Sequence, residues 1–522
     1  VKRSIRSVVG LAVALLLWQL ASDHHVLDPA VVSSPVALGR RIVSLLGDAD
    51  FRAALLATLV AWLLALLLTV LLAVPAGLLL GGIPAVRTAT EVLVEVLRPI
   101  PAVALIPLCL VMLGAGAQTK IILAVFAGMW PLMFNVLAAV RGIDPMWVDT
   151  ARSMGSGPLR TTLRVRLPAV VPFAVTGLRV AAPLELIVLV STEFVAGNGY
   201  PGLGAYLSIS GEQVGDLTTM LAGAALAGVL GSAVSVLILG LRAKWHAQVT
   251  TAMTHAPART RREAAIRFSQ RWLSLAVWIG VWQLVTSWLR SPFAPTPASI
   301  LSAAYHMWLT GPVRHAWLTP LVTDNILVSL ERVALGWAIA LAIGVAGGLL
   351  LGSATPVADV VEPVAGFIRT IPSVLLVPVL LAFVHIGTPL SVTIIVVGAV
   401  WPILINTMDG VRSVDGTIIN TARAFQTTRL RRLVTVVLPA ASPKILAGVR
   451  ISLSQALILM IVAELVGASA GIGYQLLQTQ SLFAFPQMWA WIVLTGALGY
   501  ALNRLVQAAS DRVLPWSASA TS

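Results

Sequence analysis

The chain is written in long apolar runs separated by short polar stretches. Residues 55–82, LLATLVAWLLALLLTVLLAVPAGLLLGG, form one such run, longer than the about 20 residues a helix needs to cross a bilayer core. Helices rather than strands are expected, because a helix satisfies its own backbone polar groups in hydrocarbon. The runs mark six spans near 8–22, 52–81, 100–113, 121–140, 170–195 and 217–241, and six more near 272–289, 325–352, 371–386, 390–408, 445–466 and 488–505. Between the two sets, 242–271 (RAKWHAQVTTAMTHAPARTRREAAIRFSQR) is polar and basic and reads as a linker. The expected organisation is therefore 1–241, a linker over 242–271, and 272–522.

The second set repeats the first. RPIPAVALIPL from Arg98 aligns with RTIPSVLLVPV from Arg369, an offset of 271 residues. Trp130-Pro131 and Trp401-Pro402, Asn135 and Asn406, Gly177 and Gly448, Arg179 and Arg450, and Glu193 and Glu464 all keep that offset. The basic start and short apolar run at the N-terminus resemble a secretory signal. The tripeptide Trp18-Gln19-Leu20, however, returns in mid-chain as Trp282-Gln283-Leu284, so both are read as first spans.

Composition agrees with a membrane protein, since 58% of residues are hydrophobic and only 11% charged, outside the range of ordinary soluble domains. The net charge of +14 raises the possibility of nucleic acid, but excess Lys and Arg is the ordinary property of loops on the cytoplasmic side. With the N-terminus inside, six spans return the linker to the inside, where it brings seven Lys and Arg residues. Both termini are then cytoplasmic, and no nucleic-acid partner is expected. The single Cys109 permits no internal disulfide. His24-His25 has no third metal ligand at a suitable spacing.

The most charged loop of the first half is DTARSMGSGPLRTTLRVRLP, from Asp149 to Pro168. Asp144-Pro145 is a helix start, Gly155 a left-handed stop, and Ser156-Gly157-Pro158 opens a second short helix carrying Arg160, Arg164 and Arg166. The small side chain of Ala151 would let another protein's surface approach. A single interfacial helix meeting lipid headgroups would look similar. Two copies in equivalent positions, the second running from Asn420 to Pro439, favour a dedicated device.

This loop resembles the cytoplasmic "EAA" signature of ABC-importer permeases. Asp149, Thr150 and Ala151 stand for its acidic-Ala-Ala start, Gly155 for its Gly, and Leu167-Pro168 for its end. The second copy offers Asn420, Thr421, Ala422, Leu438 and Pro439, with Gln426 where the Gly belongs. RTIPSVLLVPVLLAFVHIG, WPILINTMDGVRSVD and AELVGASAGIGYQLL are similar to permeases of the nitrate, sulfonate and taurine type, over roughly 52–210 and 325–480. The resemblance implies an all-α membrane protein of about twelve transmembrane helices, arranged as two tandem six-helix type I importer (MetI-like) domains fused in one chain. It further implies a bacterial plasma (inner) membrane, two cytoplasmic ATPase subunits docked on the loops and an extracytoplasmic solute-binding protein. A Gln forced into the left-handed region costs on the order of 1 kcal/mol, so the second helix is expected either to end differently or to compensate.

No G-x-x-x-x-G-K-[ST] phosphate loop is present, since none of Lys2, Lys120, Lys244 and Lys444 follows a Gly. ATP and Mg are therefore expected on partner subunits, with no cofactor in this chain. Ionisable residues within spans are functional candidates because of their cost in hydrocarbon. Glu193 and Glu464 at the outer ends of the fifth spans, and Arg179 and Arg450 nearer the inner ends, are candidates for the substrate path, with snorkelling or helix packing as the structural alternative. Glu331-Arg332 and Glu185 have no charged counterparts at the offset and read as local features. A twelve-span secondary transporter is the rival, although the distinctive loop follows the fourth span rather than the second; a membrane-embedded enzyme ranks last.

Overall fold

The computed structural model describes residues 2–26, 28, 31–197, 201–213, 215–244 and 261–513, which leaves most of the predicted linker, 245–260, outside the described residues. Every regular element among the described residues is helical. Among the described residues, eight helices are long and apolar enough to cross a membrane, and two bent pairs raise the number to ten. The first span is a shorter apolar stretch, Val9–Asp23, within the helix Lys2–Asp23. The last is Phe485–Val513, a 29-residue helix of lower hydropathy. These are the twelve expected segments, six in each half.

The third segment of each half departs from expectation. Instead of straight spans at 100–113 and 371–386, the chain makes bent pairs: Pro84–Leu97 with Ala102–Leu113 at 79°, and Val357–Ile368 with Ser373–Leu381 at 91°. The cause is proline chemistry. Pro99 and Pro101 remove two backbone donors, and both Pro101 (ψ 130°) and Pro372 (ψ 114°) sit in extended backbone before the next turn. Four helices outside the predicted spans, Pro35–Gly47, Leu203–Ser208, Pro297–Trp308 and Ile472–Ser481, cover the end of the molecule opposite the repeated charged loops.

Spans 2, 4 and 5 of each half pack as a unit: Ala49–Gly82, Ala117–Arg141 and Leu167–Ala196 in the first, Val328–Ser353, Thr388–Arg412 and Leu438–Gly467 in the second. Lipid tails are as apolar as Leu, so such contacts depend on close packing rather than on apolar burial alone. Small residues accordingly line them, with Ala65, Ala73, Ala124, Ala181 and Ala182 all buried. One buried apolar core runs through both halves.

The first helices are exchanged. Lys2–Asp23 packs against Thr355–Ile368 of the second half, with Gly10 directly on Val360. Reciprocally, Arg261–Leu289 lies on Pro84–Leu97 of the first half, where Trp278 Nε1 donates to the Ala89 carbonyl at 2.8 Å. Arg271 there pairs with Glu91 at 3.1 Å and also with Glu95. The two sequence halves are interlocked rather than side by side.

Candidate functional site

Both charged loops fold as elbows. In the first, Asp144 Oδ1 accepts from the Met146 N–H at 2.9 Å and caps the helix Pro145–Ser153. Gly155, at φ +77°, then reverses the chain. The second short helix, Pro158–Thr161, passes through a π turn over Thr162–Arg166 directly into Leu167–Ala196. The second arm of the elbow is thus helically continuous with span 5, and the first arm joins it through the turn at Gly155.

The second elbow repeats this with different residues. Asp415 Oδ1 accepts from Thr417 N–H at 2.8 Å at the start of Gly416–Ala424. The Thr417 hydrogen bonds, led by that backbone N–H, hold the Asp415 carboxyl below its ordinary pKa. Gln426 takes the left-handed conformation itself, at φ +51°. The helix therefore ends as the first one does, and the neighbouring residue compensates: Thr427 donates both its N–H and, at 2.7 Å, its hydroxyl to the Ala422 carbonyl.

Asp149, Thr150, Asn420 and Thr421 are exposed, as are Pro168 and Pro439, while Leu167 and Leu438 are half-buried at the roots of the elbows. Ala422 is buried and Ala151 half-buried, with their carbonyls accepting from Thr427 and Ser156. Both alanines sit at the turn that closes their elbow. The outer surface is instead built from apolar residues that repeat at the same offset: Trp147 and Ile418, Met154 and Phe425, Leu159 and Leu430, all exposed. Met154 and Phe425 are 80% and 79% exposed at the tips of elbows crowded with Arg. Sequence reading passed over them because apolar residues are unremarkable in a chain of this composition; their position within the two charged loops was the available signal.

At the opposite end, Glu193 and Glu464 are fully buried. Glu193 accepts from Lys120 Nζ at 2.6 Å, from Thr58 Oγ1 at 2.9 Å and from Gly204 N–H at 2.9 Å. Glu464 accepts from Arg332 Nη1 and Ser329 Oγ, both at 2.8 Å, and from Gly473 N–H at 2.9 Å. Each carboxylate closes the loop after span 5, Lys120 and Arg332 also donating to the carbonyls of Pro201 and Ala470. Gly202 and Gly471 are required there: a Cβ would come within 2.1 and 2.3 Å of the carboxylates. Arg332, read as a local feature, is the cation of the second latch.

Arg179 and Arg450 lie away from these latches. Arg179 is exposed and within Coulombic range of Arg369 of the other half, and Arg450 Nε has no hydrogen-bond partner. Among the described residues, neither has a carboxylate within ion-pair distance. The structure therefore separates the four candidates into two neutralised carboxylates at one end and two uncompensated cations nearer the elbows.

The model of the binding-protein-dependent transport system inner membrane component family matches twice, at residues 73–248 and 338–515. The chain belongs to that family. It is 33% identical over 244 residues to a probable ABC transporter permease protein of Brucella melitensis biotype 1, an alignment covering 47% of this chain and 95% of that protein. The putative aliphatic sulfonates transport permease protein SsuC of Bacillus subtilis is 27% identical over 46% of this chain and 85% of its own length. The nitrate import permease protein NrtB of Leptolyngbya laminosa is 28% identical over 47% of this chain and 86% of its own. About half of this permease thus spans most of a whole relative, and the chain is two fused permease units of a multi-pass inner-membrane protein.

Proposed function

We propose that this permease forms the translocation path of an importer for a small anion of the nitrate, sulfonate or taurine kind, and that its two elbows dock separate ATPase subunits carrying ATP and Mg. The units are 1–241 and 272–522, joined by 242–271, with both termini and both elbows cytoplasmic. An extracytoplasmic binding protein delivers the solute to the opposite end. The observation that carries this is the pair of elbows: capped, continuous with span 5 through their second arms, and tipped by matched exposed apolar residues. Closure of the ATPases moves each elbow, and span 5 moves with it as one lever, which biases the path between two states.

In this reading Glu193 and Glu464 are latches that hold the outer ends of the levers, since their oxygens are engaged by protein donors. Arg179 and Arg450 keep an uncompensated charge and favour anions along the path. The test is recovery of the ATPase with the tagged full chain from its native membrane, the partner being identified by its phosphate-loop sequence. Met154→Asp with Phe425→Asp is expected to abolish recovery while the chain remains folded in the membrane. Uptake by ATP-free vesicles driven by an ion gradient would instead establish the secondary-transporter rival.

A further inference from the structure

The two exchanged helices can be set in register with each other. Gln19 Oε1 accepts from the Val36 N–H and Gln283 Oε1 from the Ala298 N–H, both at 3.2 Å and both at the second residue of the next helix. The offset of 264 residues between Trp18-Gln19-Leu20 and Trp282-Gln283-Leu284 is therefore structural as well. Their docks, Pro84–Leu97 and Thr355–Ile368, are related by the offset of 271. In that register Gly10 and Ser274 are equivalent, and so are the residues they meet, Val360 and Ala89.

The two equivalent contacts are built from different chemistry. On the first half, Ser274 Oγ and Trp278 Nε1 both donate to the Ala89 carbonyl, at 2.6 and 2.8 Å, and Arg271 reaches Glu91 and Glu95. On the second half, Gly10 lies so close to Val360 that a Cβ would sit 2.6 Å from Val360 Cγ1, 2.7 Å from its Cα and 2.8 Å from its carbonyl oxygen. Backbone atoms cannot swing aside as the tip of a side chain can. The residue matching Trp278 is Ala14, and the one matching Arg271 is Ser7. Of the two acids, Glu95 is matched by Gly366, while Glu362, the match of Glu91, pairs with Arg412 at 3.1 Å.

We infer that each exchanged helix is keyed to its own dock and rejected by the other, so that the two halves of the chain recognise each other as unlike partners. Seating Arg261–Leu289 on Thr355–Ile368 would drive the Ser274 Cβ into the backbone at Val360. Seating Lys2–Asp23 on Pro84–Leu97 would set Gly10 and Ala14 beside the Ala89 carbonyl, forfeiting both side-chain hydrogen bonds. One wrong pairing is blocked sterically and the other is left without its attraction; specific interfaces use both devices. Helix contacts in a bilayer depend on close packing and interhelical hydrogen bonds, the two properties that differ here. The Arg271 pairs are exposed and add little by comparison. A second copy of either half is thereby a poor substitute for the other half, whatever solute is carried.

The experiment exchanges the two helix faces within the full chain, with seating read in detergent micelles by amide exchange over 9–23 and 271–289 and by the thermal unfolding midpoint. Gly10→Ser with Ala14→Trp gives the first helix the face of the other. Exchange over 9–23 should quicken by about tenfold through overpacking, and the midpoint should fall. Adding Val360→Ala supplies the dock residue of the first half and should restore most of both. Ser274→Gly with Trp278→Ala is the converse, and should quicken exchange over 271–289 by about tenfold through the two lost hydrogen bonds. Adding Ala89→Val, which recreates the contact of Gly on Val, should recover part of that loss. Either double variant behaving as the unaltered chain overturns the inference, as does a triple variant with Val360→Ala no better seated than its parent. Should the chain with Gly10→Ser and Ala14→Trp fail to fold, recovery of a folded triple variant supports the keying, and failure of the triple variant overturns it.

Discussion

The two latches perform one task with a cation drawn from different helices. In the first half Lys120 on span 4 neutralises Glu193; in the second, Arg332 on span 2 neutralises Glu464. The positions that would match them, Ser391 and Ala61, are neutral. What the two halves share is a buried carboxylate, a hydroxyl from span 2 and a backbone N–H from the returning loop. The cation's address is free so long as the charge is cancelled, because a buried carboxylate left alone is far more costly than one paired.

The comparison is broken most severely by removing one cation. Lys120→Leu or Arg332→Leu should lower stability by roughly 3–5 kcal/mol, since each leaves an uncompensated buried charge; unfolding in micelles followed by tryptophan fluorescence measures it. Moving the cation sharpens the point. Ala61→Arg combined with Lys120→Ser gives the first latch the second latch's arrangement and should recover most of the loss, whereas a double variant no better than Lys120→Ser would show that the two addresses are not equivalent.

A smaller effect is expected where spans 2, 4 and 5 of the first half meet. Glu185 is fully buried beside Thr69, neither side chain making a well-formed hydrogen bond, and Gly128 leaves room for it. A Cβ at Gly128 would lie 1.9 Å from Glu185 Oε1. The second half has Ala340, Ala399 and Ala456 at the matching positions. Gly128→Ala should therefore cost about 1–3 kcal/mol through overpacking, and adding Glu185→Ala should relieve it, as read from the same unfolding curves.

The smallest effect separates the elbows. Gln426→Gly should stabilise the second by on the order of 1 kcal/mol, and Gly155→Gln should weaken the first by a similar amount. Slower or faster amide exchange over 416–426 and 145–155 is the readout.

Much of this architecture was legible in the sequence because two signals are strong: apolar length fixes the spans, and the 271-residue offset fixes their repetition. The bends at Pro99, Pro101 and Pro372 were hidden because apolar length alone does not distinguish one span from two joined half-helices. Arg332 was misread for a related reason, since searching for matched residues cannot find a charge that has moved to another helix. The elbows were found through Asp144, Gly155 and Pro158, whose backbone requirements are local. Their apolar tips depend on which side of the elbow faces outward, and a loop with no regular periodicity gives no sign of that.

The exchanged first helices bear on how such a protein arises and comes apart. With Lys2–Asp23 seated on one half and Arg261–Leu289 on the other, cohesion of the two units does not depend on the peptide bonds between them. Protease cleavage between 245 and 260 should leave a heterodimer that migrates as one particle until denatured. Joining two separate genes into one would then have altered stoichiometry and the chance of mispairing, by raising the local concentration of each half for the other, far more than it altered shape.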